Sequence, residues 1–369
     1  MQNAIGDFSP DYRAAREKFL AAAKTASANA DIRIETFDNP APGPDGLPVH
    51  TDVALIGDPG APNVLVANSA THGVEGFCGS AALIGWLRRG DAGALPSNVQ
   101  AVLIHAINPH GFAWVRRVTE DNVDLNRNFG SHGGTYPTNP DYRALHKTLV
   151  PEKWNKKSLA AYTRMVEDYV AKNGEFALQA AITRGQHDHP DGLFYAGREA
   201  SWSNRTFHEI LDRFIKGAKS VAFLDFHTGL GPYGHGTLLG GSSVKGRMAD
   251  WFGDGRGSPT PGKSLSAPLG GVIGGALRSA CSGADVTSVT VEFGTYPVLQ
   301  VLEALRADNW LHLHGDPESK LGRTIKADIR KRLYPDEDDW KELVALRSRH
   351  VLQRAANGLM IKQEQIVDK

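Results

Sequence analysis

Apolar positions in this chain follow two alternating rhythms. Residues 11–30 carry Ala14, Phe19, Leu20 and Ala23 at helical spacing in an Ala/Lys/Arg/Glu-rich background, which predicts a helix packed on the surface of a core. Residues 32–37 alternate as a strand does, and 53–56 and 63–67 are short apolar strands around the turn Asp58-Pro59-Gly60. Residues 79–89 predict a helix, with Gly90 just past its end as a C-cap. Residues 99–107 form a continuous apolar run, the mark of a strand buried on both faces.

The alternation continues downstream. Helical spacing covers 141–172 in two pieces broken near Val150-Pro151, then 207–216, 244–252 and 298–314. Strand-like runs occupy 221–226, 234–241 and 285–293. A charged helix over 338–356 keeps Trp340, Leu343, Val344, Val351 and Leu352 on its apolar side. Segments 39–48, 130–140 and 253–275 are rich in glycine, proline and small polar residues and read as loops; 185–204 is dense in histidine and aromatics without a period. Strand–helix–strand alternation predicts an α/β layered sheet, in which ligands sit outside the carboxyl ends of strands. No repeat, low-complexity stretch or clear linker divides the chain.

Composition narrows the function classes. With 369 residues, 41% hydrophobic and 22% charged, this is ordinary globular composition, long enough to bury a large core. Lys+Arg and Asp+Glu both number 41, so nothing in the balance points to nucleic acid or an anionic membrane surface. Cys78 and Cys281 form no framework and predict free buried thiols. The N-terminus lacks a basic region followed by an apolar one, and no run approaches a membrane span, so the cytoplasm is the expected location. Whether the protein forms a homo-oligomer stays open.

The chemistry gathers at strand ends. Thr71-His72-Gly73-Val74-Glu75-Gly76 follows the apolar run 64–67. Imidazole nitrogen and carboxylate oxygen are both zinc ligands, and glycines at 73 and 76 let the turn tighten so that the two side chains converge. Alone, a His-x-x-Glu is also an ordinary polar turn. His227 ends a second strand, in Asp225-Phe226-His227-Thr228-Gly229-Leu230-Gly231, and Glu292 ends a third. Two histidines and a carboxylate, His72, Glu75 and His227, make a catalytic zinc set with one position left for water, whose pKa falls towards ~7 on the metal. Glu292 suits the general base, unless it is an ordinary strand-end acid paired to a lysine or arginine. Asp225, two residues before His227, faces the same side and either orients a ligand or is a satisfied buried acid. Arg116, Arg117 and Arg127 supply cations for a substrate carboxylate or an oxyanion, although an adjacent pair such as Arg116/Arg117 often contains a merely solvated member.

Taken together, His72-x-x-Glu75, Asn122-Val-Asp-Leu-Asn126-Arg127-Asn-Phe, His227 and Glu292 resemble the zinc carboxypeptidase superfamily, which also contains the succinylglutamate desuccinylases and aspartoacylases. Thr-His-Gly-Val-Glu-Gly, Asp-Phe-His-Thr-Gly-Leu-Gly and Val-Glu-Phe-Gly-Thr-Tyr resemble a bacterial carboxypeptidase-like subgroup, and the motifs span about residues 60 to 300. The resemblance implies one zinc per chain on His72, Glu75 and His227, and Glu292 as general base and acid. It implies Asn126 and Arg127 as the substrate-carboxylate clamp, with Arg117, or failing it Arg116, on the scissile carbonyl. The fold implied is a mixed, mostly parallel eight-stranded sheet flanked by helices. The whole of 1–369 would then be a single catalytic domain with an insert at about 130–215 and a helical extension at about 315–369.

Two departures stand out. The mobile tyrosine of the digestive carboxypeptidases has no aligned counterpart, Tyr233 and Tyr296 being near only in sequence. A long insert separates Arg127 from His227, and its Tyr195, Arg198 and Trp202 are candidates for a pocket wall. His187-Asp188-His189 within it looks zinc-like, but a loop anchored by hydrogen-bonded histidines is the expected reading. The functional expectation is a zinc carboxypeptidase acting on small peptides; the alternative is a deacylase of N-acyl amino acids. A non-catalytic binding module on the same fold would have lost a ligand or the base, and all four positions are filled.

Overall fold

The computed structural model describes residues 4–240, 245–253 and 269–361. Seven strands form one sheet: β1 (Ile32–Asn39), β2 (Val49–Ile56), β3 (Asn63–Asn68), β4 (Val99–His105), β5 (Ser220–Tyr233), β6 (Gly236–Gly240) and β7 (Asp285–Gly294), in the order β1-β2-β4-β3-β5-β7-β6. The sheet is mixed. Pairing is parallel through the centre, β4-β3-β5-β7, and antiparallel at β1-β2, β2-β4 and β7-β6. Among the described residues it has seven strands, one fewer than the resemblance implies.

Among the described residues twelve α-helices accompany it: α1 (Tyr12–Ala26), α2 (Gly76–Arg88), α3 (Pro109–Ala113), α4 (Pro140–Leu149), α5 (Lys156–Asn173), α6 (Glu175–Thr183), α7 (Trp202–Phe214), α8 (Lys245–Phe252), α9 (Ile273–Ala280), α10 (Val298–His314), α11 (Lys320–Leu333) and α12 (Asp338–Gly358). The amphipathic patterns explain the layers. On one face of the sheet, Leu65, Ala67, Leu103 and Leu224 pack with Phe19 of α1, Leu83 of α2 and Val344 and Leu352 of α12. On the other, Val64, Val66, Val102 and Phe223 pack against Phe207 and Ile210 of α7 and Leu277 of α9. The central strands are therefore apolar on both sides, as continuous runs require.

Tyr142, Leu149, Tyr162 and Leu178 of α4, α5 and α6 pack with Leu302 and Leu305 of α10 and Ile329 and Leu333 of α11. Helix α11 lies within the stretch 315–369 that the resemblance implies to be helical, and its Ile325, Ile329 and Leu333 recur at helical spacing and are buried. Both cysteines are free and buried. Of the glycine-rich stretch 253–275, residues 254–268 lie outside the described residues, as does the end of the C-terminal extension, 362–369. No helix among the described residues is long and apolar enough to cross a membrane.

Candidate active site

Chain order and sheet order diverge around β3. The chain steps from β3 to β4 on one side and returns to β5 on the other, which opens a crevice at the carboxyl ends of the strands. His72 and Glu75 lie just past β3 in a single 3-10 turn, Gly73–Glu75, that leads directly into α2. This turn is locked to the loop after β4: Gly73 N donates to Arg117 O (3.1 Å) and Val74 N to Arg116 O (2.8 Å). Glycine is obligatory at 73, because a Cβ there would lie 2.0 Å from the Gly111 carbonyl carbon. His227 and Glu292 come from neighbouring strands, directly paired in the parallel β5-β7 register.

Four acceptor atoms converge. His72 Nδ1 lies 2.9 Å from Glu75 Oε1, His227 Nδ1 lies 3.1 Å from Glu75 Oε2, and the two Nδ1 atoms are 3.1 Å apart. Each ring turns its other nitrogen to a carboxylate: His227 Nε2 to Asp225 Oδ2 at 2.5 Å, and His72 Nε2 to Asp124 Oδ1 at 3.2 Å. With each Nε2–H given to an acid, both Nδ1 atoms present lone pairs to the same point as the Glu75 oxygens. Such a set repels itself unless a cation stands among its members, and the carboxylate–histidine arrangement is that of a metal ligand with its supporting acid. His72, Glu75 and His227 thus fit a zinc ion by donor chemistry and by grouping.

The electrostatics agree. Burial alone pushes the Glu75 carboxyl up, but the His72 and His227 imidazoles outweigh it and hold it below the usual range. Burial likewise works against His227 carrying charge, yet Asp225 and Glu75 raise it well above its ordinary value. The cluster draws in positive charge from whatever source is available. Asp225 is itself fixed, its Oδ1 accepting from Asn68 Nδ2 and Thr71 Oγ1, each at 2.8 Å.

Glu292 is of a different kind. It is buried, no lysine or arginine pairs with it among the described residues, and its Oε1 accepts from Leu230 N at 2.9 Å. Burial first, and then the Glu75 carboxylate, raise its carboxyl to about 6 against the opposing pull of the histidines. A carboxyl poised there is placed for proton transfer near neutral pH.

A cavity of about 1070 Å³ opens over this group. It is lined by His72, Glu75, His227, Glu292, Arg117, Asn126 and Arg127, with Phe176, Gln179 and Thr183 of the insert and Leu302 and Leu305 of α10. Arg117 donates to Asp124 Oδ2 (3.0 Å) and Glu75 Oε1 (3.2 Å). Arg127 gives Nε and Nη2 to Thr183 O and Nη1 to Asn126 O, and stands 5.8 Å from the Phe194 ring. Three of its five N–H groups are thereby used, leaving one on each terminal nitrogen. Asn126 is oriented by Ile273 N, which donates to its Oδ1 at 3.0 Å.

The structure does not bring Arg116 to this cavity. Its buried side chain instead donates to Asp308 of α10 (3.3 Å) and to Asn122 (3.0 Å). Nor do Tyr195, Arg198 and Trp202 line the cavity; that wall is built by α6 and by Phe194. Tyr233 reaches towards Asp339 and Tyr296 lies under Arg332, away from the cavity. His187 bonds to Gly197 O and Asp188 to Arg143, so the His187-Asp188-His189 run does not form one site. His146, His189 and Asp191 do cluster, but the two imidazoles stack face to face, 3.8 Å apart at 15°. In-plane lone pairs of near-parallel stacked rings do not meet at one ion, and this arrangement is packing rather than ligation. Asp124 was not singled out beforehand; its signal was an acid inside the dense motif Asn122-Val-Asp-Leu-Asn126-Arg127.

Fold and site together define a candidate metal centre of two histidines and one carboxylate at the carboxyl edge of an α/β sheet. The chain belongs to the family described as protein of unknown function (DUF2817), whose model matches residues 8–347. No curated protein matches the chain. Similar solved structures include the carboxypeptidase A from Helicoverpa armigera, 16% identical, covering 93% of this chain and 74% of that one, TM-score 0.44. Bovine thrombin-activatable fibrinolysis inhibitor is 12% identical over 95% of this chain and 98% of its own, TM-score 0.46. Succinylglutamate desuccinylase from Chromobacterium violaceum is 14% identical over 89% and 75%, TM-score 0.37.

Proposed function

We propose that this protein is a zinc-dependent hydrolase that cleaves an amide bond next to a free carboxylate, a carboxypeptidase. The observation that carries the reading is the convergence of His72 Nδ1, His227 Nδ1 and both Glu75 oxygens beside an unpaired, buried Glu292 in a large open cavity. His72, Glu75 and His227 hold one zinc, which supplies Lewis acidity for the scissile carbonyl and for water.

The chain's own groups do the rest. Glu292 takes the proton of the attacking water on its carboxylate and returns it to the leaving amine. Arg117, fixed by Asp124 and Glu75, donates a remaining N–H to the carbonyl oxygen as charge develops there. The two unused N–H groups of Arg127, one on each terminal nitrogen, form the pair that a substrate carboxylate accepts, with Asn126 beside it. Asp225 and Asp124 hold the ligand rings in the required tautomer. The cavity has room for more than a single residue, which favours peptides over N-acyl amino acids. All of these groups sit within one chain, and we propose that it works as a single catalytic domain.

The test is a mass-spectrometric digest by zinc-loaded protein of free-acid peptides, their C-terminal amides and N-acyl amino acids. Loss of single C-terminal residues from the acids, with the amides intact, is expected. Cleavage of N-acyl amino acids alone would establish the deacylase instead, and no cleavage of any member would sink both.

A further inference from the structure

Away from the metal centre, the cavity holds one more charged side chain. Arg278 on α9 lines it together with Ser288 and Thr290 of β7 and Leu239 and Gly240 of β6. It is half-buried, and no hydrogen bond or ion pair is made by it among the described residues. The other cavity cations are engaged: Arg117 with Asp124 and Glu75, Arg127 with Thr183 and Asn126 carbonyls. The described lining contains only two carboxylates, Glu75 and Glu292, both at the metal end. A guanidinium facing a cavity without a counter-ion is electrostatically incomplete, and a carboxylate completes it through two parallel hydrogen bonds.

Local sequence makes room for it. Gly274 and Gly275 stand one turn before Arg278, so its guanidinium can lie back along α9. A Cβ on Gly274 would come 2.5 Å from Ser288 Oγ and 3.7 Å from Arg278 Nη1, and one on Gly275 would come 4.0 Å from Nη2. The Ser288 hydroxyl and the guanidinium thus border the same gap. Ser288, Thr290 and Glu292 alternate along one face of β7, a polar track that leads from the gap to the base. At ~3.3 Å per residue the track is about 13 Å long between end Cα atoms. A substrate side chain lying along β7 from the scissile bond would point towards Arg278.

We propose that Arg278, with Ser288 and Thr290, reads an acidic side chain on the substrate residue that carries the free carboxylate, so that the preferred substrates end in glutamate. This rests on the hydrolase reading for the position of the scissile bond. Glutamine offers the same shape without the charge, and Arg278 is the group that tells them apart.

The experiment measures binding, separately from turnover. Zinc-loaded Glu292→Gln protein is titrated calorimetrically with Ala-Ala-Glu and with Ala-Ala-Gln. The glutamate peptide is expected to bind about 10-fold tighter or more, the scale of hydrogen bonds to a charged group. Adding Arg278→Gln should equalise the two, the affinity for Ala-Ala-Glu falling by about 10-fold or more. Equal affinities before that change, a preference that survives it, or binding of neither peptide overturns the proposal. Wild-type digestion separates the two failures. If C-terminal leucine is released as readily as glutamate, the hydrolase stands and the acidic preference falls. If nothing is cleaved but the binding preference follows Arg278, the acidic site stands and the hydrolase falls.

Discussion

Replacing Asp225 by asparagine should weaken zinc binding although Asp225 is not itself a ligand. Its Oδ1 accepts from two donors, Asn68 Nδ2 and Thr71 Oγ1, and its Oδ2 faces His227 Nε2 at 2.5 Å. In the Asp225→Asn variant the amide oxygen must stay where the two donors are, which turns the amide NH2 towards His227. Two donors cannot face each other, so His227 keeps its proton on Nδ1 and accepts at Nε2. The lone pair that faces Glu75 and His72 is then lost. Loss of such an outer carboxylate weakens metal binding by roughly 10- to 100-fold, about 1.4 to 2.7 kcal/mol. The assay is zinc competition against a chelator of known affinity, with circular dichroism to establish that the variant is folded. A folded variant with zinc affinity within about twofold of wild type would show that Asp225 does not set the His227 tautomer, because loss of the Nδ1 lone pair weakens binding at least about tenfold.

Other outcomes follow from the same site and its surroundings. Glu292→Gln should keep a full zinc equivalent and lose turnover by at least about 100-fold, since general bases contribute 10²–10⁴; a mild loss would remove Glu292 from that role. His72→Ala should lose metal, read by plasma mass spectrometry on dialysed protein, and a retained equivalent would take His72 out of the ligand set. His105 lies fully buried against Phe19, bonded through Nε2 to Ser80, and burial pushes it from 6.5 down to about 4. The unfolded chain therefore binds a proton that the folded one refuses, and stability falls as pH drops below 6.5. From pH 7 to pH 5 this one group costs about 2 kcal/mol. Urea unfolding of His105→Gln should show an acid loss smaller by that amount, and an unchanged loss would contradict the assignment.

What was legible beforehand was local. Apolar runs 64–67, 99–107 and 221–226 are strands because a both-faces-buried strand needs no polar alternation, and 285–293 is a strand of alternating pattern; the ends agree to within two residues except that β5 continues to Tyr233. Helix 298–314 matches to the residue. The positions of His72, Glu75, His227 and Glu292 could be read because each stands where an apolar run stops, and in a parallel sheet those stops share one edge. Asp225 was placed by the two-residue period of a strand. The bounds of helix α11 within the helical stretch 315–369 are not legible, because high charge surrounds its narrow apolar stripe.

What the sequence alone determined, then, is the succession of strands and helices and the residue types collected at strand ends, because both depend on periodicity over a few residues. Tertiary structure decided which distant groups meet. The pairing of His227 with Glu292 is a matter of β5-β7 register, and the support of His72 by Asp124 spans two loops. Of two adjacent arginines, one faces the cavity and the other is taken by Asp308 on a helix far along the chain. Arg278 lies on a helix whose neighbours across the cavity are strands β6 and β7. These contacts depend on strand order and crossover geometry, neither of which leaves a periodic trace in the residues themselves.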